Sequence, residues 1–215
     1  MSKRDKISPI SAMLLGWRYL CSRLAILLWS SYYNCYLRIH PGIHLQGWIT
    51  VTGRMAWKID PRAHVEIGSG VRIHSGHLLN GFGGHRIAIV WVLAGGRLML
   101  GERSGFSSST IVCAESVTVG PKVMIGGACD IFDTDFHPLN VEDRIGHRLP
   151  GRTAPIDIKE GAFIGGRTII MKGVSIGEGS VIGAGSVVSK LVPNGEIWAG
   201  NPARMVGAVP GPQET

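Results

Sequence analysis

IDIKEGAFIGGRTIIMKGVSIGEGSVIGAGSVVSK, residues 156–190, repeats itself every six residues. One register steps through Ile156, Ala162, Thr168, Val174, Ser180 and Ser186. A second, two residues on, steps through Ile158, Ile164, Ile170, Ile176, Ile182 and Val188, and every member is β-branched. Gly165, Gly177 and Gly183 follow this second ladder. A helix repeats every 3.6 residues and a strand every two, and neither sustains a period of six. The pattern calls for a coil with flat faces, each six-residue unit supplying a short strand and a corner. The aliphatic residue points inward and stacks on its equivalent in the next coil. One coil cannot bury its own core, so coils must stack.

The same period appears upstream. Ile59, Val65 and Val71 step by six, with Ile67 and Ile73 beside them, and Val117, Val123 and Cys129 do so with Val119, Ile125 and Ile131. Leu98, Leu100, Phe106 and Val112 give a looser version. The expected organisation is an N-terminal basic, apolar helical segment over residues 1–50, a repeat domain over 51–192, and a C-terminal segment with a loose tail over 193–215. Two stretches break the period. Residues 76–90 look like a local irregularity. Residues 133–155 (DTDFHPLNVEDRIGHRLPGRTAP) form a polar excursion, and a long loop on a repeat scaffold is usually functional.

Composition narrows the function classes. The chain has 215 residues, 31 of them glycine, and a net charge of +7. Residues 1–40 carry six basic side chains against Asp5 alone, so the repeat body is close to neutral. A basic nucleic-acid face on that body is not expected, whereas a basic, apolar end suits an anionic membrane surface. No uninterrupted apolar run approaches the ~20 residues of a membrane span. Within residues 10–38, Leu14, Trp17, Cys21, Leu24 and Leu28 share one helical face, which could pack on the body, meet a partner or lie on a membrane. The four cysteines form no CxxC pair and read as reduced, mostly buried thiols of a cytoplasmic protein, held at the inner face of the membrane if its N-terminus touches one.

Together the repeats, the looped DTDFHPLNVEDR (133–144) and the ending AGNPARMVG (199–207) resemble the hexapeptide-repeat acyltransferases. The likeness lies with maltose/galactoside O-acetyltransferases and with capsule and lipopolysaccharide O-acetyltransferases. It covers roughly residues 55–206. It implies an all-β solenoid, a left-handed parallel β-helix, assembled as a homotrimer with active sites between subunits. It also implies acetyl-CoA as acyl donor, a saccharide acceptor and no metal. In the family a histidine at position 137 is the catalytic base, and a neutral imidazole can take the proton of an attacking hydroxyl. Asp135 or Asp133 could orient it, though a turn or capping role fits each equally well. The resemblance places Gly166 and Ala184 against the pantetheine arm and Ser189, Lys190 and Arg204 near the nucleotide end. An oxyanion donor would be a backbone N–H near Gly127 or Ala128.

Ser107, Ser108 and Arg144 are the candidates for acceptor binding. GFSSSTIVCAES (105–116) lacks the asparagine expected of a galactoside enzyme, so a surface-polysaccharide or lipid-linked sugar precursor fits better than a simple galactoside. Transfer to a xenobiotic or to serine, and a non-catalytic β-helix assembly module, remain alternatives. His74, His77 and His85, or His137 with His147, lack the spacing of a zinc site.

Overall fold

The computed structural model describes residues 9–76, 85–146 and 150–211. A long helix, α1 (Pro9–Ile39), leads into six stacked coils of three strands each. The first coil holds β1 (Ile43–Leu45), β2 (Thr50–Thr52) and β3 (Ala56–Ile59), and so begins inside the segment read from the sequence as N-terminal. The second holds β4 (His64–Ile67), β5 (Arg72–His74) and β6 (Ile89–Val92); the third β7 (Arg97–Leu100), β8 (Gly105–Ser107) and β9 (Thr110–Cys113). The fourth holds β10 (Ser116–Val119), β11 (Met124–Gly127) and β12 (Asp130–Phe132). After the excursion, which contains the short α2 (Val141–Gly146), come β13 (Ile156–Ile158), β14 (Phe163–Ile164) and β15 (Ile169–Ile170). The sixth coil is β16 (Ser175–Ile176), β17 (Val181–Ile182) and β18 (Val187–Val188), and β19 (Glu196–Ala199) and β20 (Arg204–Ala208) close the end.

Each strand pairs in parallel with its equivalent one coil on. Ile158 lies beside Ile176, Ile164 beside Ile182 and Ile170 beside Val188, so one coil is three six-residue units. All twelve residues of the two ladders are buried. The small-residue register is satisfied by short local bonds: Thr168 Oγ1 donates to the Gly165 carbonyl at 2.7 Å and Ser186 Oγ to the Gly183 carbonyl at 2.6 Å. Replacing a stacked isoleucine such as Ile170 with alanine would leave a cavity costing about 2–5 kcal/mol.

Stacked coils leave an open edge at each end, and an exposed edge invites unwanted pairing. At the N-terminal end α1 covers it. Asn34 donates to the Ile49 carbonyl at 2.8 Å and accepts the Ile49 N–H at 3.1 Å. Ser30 Oγ bonds both backbone groups of Val51, and the Tyr33 hydroxyl both backbone groups of Met55. Three side chains thus stand in for a missing strand, and Leu37 is buried beneath them. The face carrying Leu14, Trp17, Leu24 and Leu28 points the other way and is exposed. At the far end β20 runs antiparallel to β19, pairing Ile197 with Gly207 and Glu196 with Ala208. The tail therefore holds a strand through Ala208 where the sequence suggested loose chain.

All four cysteines are free thiols. Cys113 and Cys129 are buried, but Cys21 and Cys35 lie exposed on α1, against the expectation that most would be buried. Burial, with a smaller contribution from the nearby Asp133 carboxylate, pushes the Cys113 thiol up to about 12, and burial likewise raises Cys129. Neither is a thiolate near neutral pH.

Candidate active site

The excursion leaves the coil on two antiparallel legs. Thr134 bridges Thr153, the Asp135 N–H donates to the Arg152 carbonyl at 2.9 Å, and the Ala154 N–H donates to the Asp133 carbonyl at 3.0 Å. Just beyond this stalk Phe136 takes a left-handed conformation, φ 60°. Such a conformation costs a non-glycine residue of order 1–3 kcal/mol and persists only where its surroundings dictate it. Here they do. Thr134 Oγ1 accepts the Phe136 N–H at 3.0 Å, the Phe136 ring meets Phe132 edge-on at 5.3 Å, and the His137 N–H donates to the Asp135 carbonyl at 2.6 Å. Gly151 packs from the other leg. A Cβ there would stand 2.7 Å from the backbone nitrogens of both Phe136 and His137. The exposed His137 side chain is therefore carried on a pinned backbone.

The two aspartates part company. Asp133 is fully buried. One carboxylate oxygen accepts the Ala114 N–H at 2.7 Å, and the other accepts those of Glu115 at 2.7 Å and Ser116 at 2.8 Å. Its capping reading, one of the two open from sequence, is the one the geometry shows. Asp135 faces Lys172 Nζ at 3.4 Å, which ties the stalk to the next coil. Neither carboxylate makes a described hydrogen bond to the His137 ring. Arg144 turns back onto its own loop, donating to the Leu139 carbonyl at 3.1 Å and the Pro138 carbonyl at 3.4 Å, while Asn140 caps α2 through the Glu142 and Asp143 N–H groups.

A groove of about 490 Å³ runs over a corner of the solenoid and is lined by Ser107, Gly127, Phe163, Gly166, Arg167 and Ala184. It joins four of the positions singled out from sequence: Gly166, Ala184, Ser107 and Gly127. The column of small residues beneath it is demanded by the stacking. A Cβ on Gly126 would come within 2.5 Å of the Gly166 nitrogen, and one on Gly165 within 2.5 Å of the Ala184 nitrogen. The Ala128 N–H, one of the oxyanion donors considered, is already bonded to the Ser107 carbonyl at 3.1 Å. Ser108 is fully buried in a left-handed turn, and its Oγ accepts the Gly76 N–H, so an acceptor cannot reach it directly. Ser189, Lys190 and Arg204 lie exposed near the C-terminal end of the stack and do not line the groove. The structure adds Arg167 and Phe163, which the six-residue pattern treats as interchangeable outward positions.

A second hollow of about 310 Å³ shares Ser107, Gly126 and Phe163 with this groove and extends towards Arg72, His74 and Arg103. His74 sits half-buried, one ring nitrogen 3.1 Å from Thr52 Oγ1. Burial and, secondarily, the Arg72 charge hold its pKa below the ordinary histidine range. Among the described residues no group of three His, Cys, Asp or Glu side chains is placed to hold a metal ion; His77 and His147 lie outside those residues.

Residues 155–190 match the family described as bacterial transferase hexapeptide (six repeats). Over that stretch the chain carries the hexapeptide repeat of the family. Its fold, the left-handed parallel β-helix, is shared with an N-acyltransferase from Bacillus cereus solved with dTDP and coenzyme A (TM-score 0.61, 19% identity, 79% of this chain and 86% of that one). It is shared also with a hexapeptide-repeat acetyltransferase from Vibrio cholerae complexed with acetyl coenzyme A (TM-score 0.58, 19% identity, 98% and 94%). A galactoside acetyltransferase in complex with coenzyme A aligns at 33% identity over 56% of this chain and 60% of that one, with TM-score 0.50. A Staphylococcus aureus (strain MRSA252) protein named as an acetyltransferase is 44% identical over 77 residues. That stretch is 35% of this chain and 37% of the relative, so the chain spans well under half of the curated relative it matches.

Proposed function

We propose that the protein is an acetyl-CoA-dependent O-acetyltransferase acting on a hydroxyl of a saccharide, with His137 as general base. A surface-polysaccharide or lipid-linked sugar precursor is the acceptor class that best fits a chain with a basic, apolar N-terminus. The observation carrying this reading is the conjunction of two built features: a small-residue groove over Gly166 and Ala184, and a pinned loop that presents an exposed imidazole. Coenzyme A bound to relatives of the same fold supports the donor.

The chemistry follows from the residues. The groove floor is backbone and small side chains, so a pantetheine arm can lie close to it. Arg167 at its wall, with Lys190 and Arg204 further along, offers cations to the phosphates of the nucleotide end. The His137 imidazole removes the acceptor proton as the hydroxyl oxygen attacks the thioester carbon; collapse expels the thiolate of coenzyme A, which takes the proton back. Backbone N–H groups at the corner stabilise the tetrahedral oxyanion. Asp135 steadies the loop through Lys172, so positioning of His137 rests on backbone geometry more than on a carboxylate–imidazole pair. An exposed His137 in one protomer suits a homotrimer in which it faces the groove of its neighbour. Acceptor contacts fall to Ser107, while Ser108 and Arg144 act through the loops they hold.

Calorimetric titration with coenzyme A tests the donor site. Binding is expected for the wild type and its loss for Ala184→Trp, which fills the groove from an exposed position. Absence of binding to the wild type would favour a non-catalytic assembly module and end the enzymatic reading.

A further inference from the structure

The N-terminal half of α1 does something the repeat chemistry does not require. The helix docks on the coil through its C-terminal part, where Ser30, Tyr33, Asn34 and Leu37 are buried, Trp29 and Tyr36 pack against the core and Arg38 donates to the Gly47 carbonyl. Before that point it stands off the body and shelters a cavity of about 770 Å³, large enough for a sizeable ligand. Its wall is mostly apolar, with Ala25 and Trp29 from the helix and Ile87 from the second coil, and two arginines line it, Arg18 from the helix and Arg54 from the first coil. Both are exposed, and among the described residues neither forms an ion pair. Away from the residues that dock, Leu14, Trp17, Leu20, Leu24, Leu27 and Leu28 are each more than half exposed. The helix contains no acidic residue, and Lys3, Arg4 and Lys6 precede it. Among the described residues, no helix is long and apolar enough to cross a membrane.

An exposed apolar helix face flanked by cations, with no acidic residue on the helix, has the makeup of a helix that lies in a lipid interface. The charge also argues for the occupant: a second copy of this helix would set Arg18 and Arg23 against like charges, whereas an anionic bilayer complements them. We propose that α1 seats the protein on an anionic phospholipid surface, with a lipid chain entering the cavity beneath the helix and its phosphate held by Arg18 and Arg54. This goes beyond acetyl transfer and does not depend on it. It also gives the peripheral contact expected of residues 1–40 a specific site.

Flotation of the full-length protein with vesicles tests the proposal. Binding is expected to vesicles of phosphatidylcholine mixed with phosphatidylglycerol and not to phosphatidylcholine alone, and it should weaken with salt. Arg18→Ala with Arg54→Ala should reduce partitioning about 30-fold, two charges' worth at an anionic surface. Leu24→Glu, at an exposed position that leaves docking intact, should abolish it. Thiol release from acetyl-CoA in solution should be unchanged in all these variants, so failure here is separable from failure of the enzymatic reading. Equal binding to both vesicle types, no binding to either, or Leu24→Glu lowering the oligomeric state in lipid-free buffer would each overturn the proposal. The last outcome would assign the face to another protomer.

Discussion

His74 illustrates how one residue's surroundings become a measurable property. Its imidazole is disfavoured as a cation by burial and by Arg72, so the folded protein binds that proton less readily than the unfolded chain. The unfolded state therefore takes up more protons as pH falls below about 6.5, and stability contributed by neutral His74 is present above that value and lost beneath it. Denaturant titrations should show the wild-type midpoint falling as pH drops below this value, and His74→Gln should flatten the dependence. An equally steep fall in the variant would place the titrating group elsewhere. Asp133 makes the complementary point. From sequence it shared equal claim with Asp135 to the role of orienting His137, because DTD in an extended loop puts neither ahead of the other. Only coordinates show it buried and accepting three backbone N–H groups across the preceding coil. Its partners lie about 18 residues away in the chain, one coil back, and no local pattern announces them.

At the scale of elements, the stalk and the helix cap are the two constructions that matter. Gly151 allows the legs of the excursion to close on Phe136 and His137. Gly151→Ala should therefore push the His137 backbone out of place, lowering turnover at least tenfold with little change in coenzyme A affinity. Unaltered turnover would mean the stalk does not position the imidazole. The cap is tested by Asn34→Leu, which leaves the Ile49 N–H and C=O buried without partners. An orphaned buried group costs about 1–3 kcal/mol, so a melting temperature several degrees lower is expected. An unshifted melting curve would show that α1 does not protect that edge. The coils themselves were legible in the sequence, since a six-residue ladder of β-branched residues has one economical three-dimensional solution. The helix cap was not. Sequence reasoning chose the face with the largest apolar residues, Leu14 to Leu28, as the notable one. The face that docks sets Ser30, Tyr33 and Asn34 beside a buried Leu37, because a strand edge offers unpaired backbone groups that need hydrogen bonds as well as apolar cover.

At the scale of the whole molecule, the solenoid is a ruler. Stacking fixes the rise from coil to coil, so residues an 18-residue turn apart, such as Ile164 and Ile182, are neighbours by construction. That regularity brings Ser107, Gly166 and Ala184 along one corner although they are far apart in the chain. It also places Ser189, Lys190 and Arg204 away from that groove, near the C-terminal end. The excursion at 133–155 interrupts the ruler, as residues 76–90 do earlier, and it carries the histidine that the proposed chemistry requires. Arg167 and Phe163 entered the site unannounced for the same reason: outward positions of a repeat are free to vary, so the period that identifies the core says nothing about the groove wall.

The most direct test of this account is thiol release from acetyl-CoA with a panel of saccharide acceptors, comparing wild type with His137→Ala. General-base catalysis contributes roughly 10²–10⁴-fold. The account predicts a loss of turnover of that order with coenzyme A binding retained, and acceptor-dependent release in the wild type. Wild-type turnover in the His137→Ala protein would contradict it.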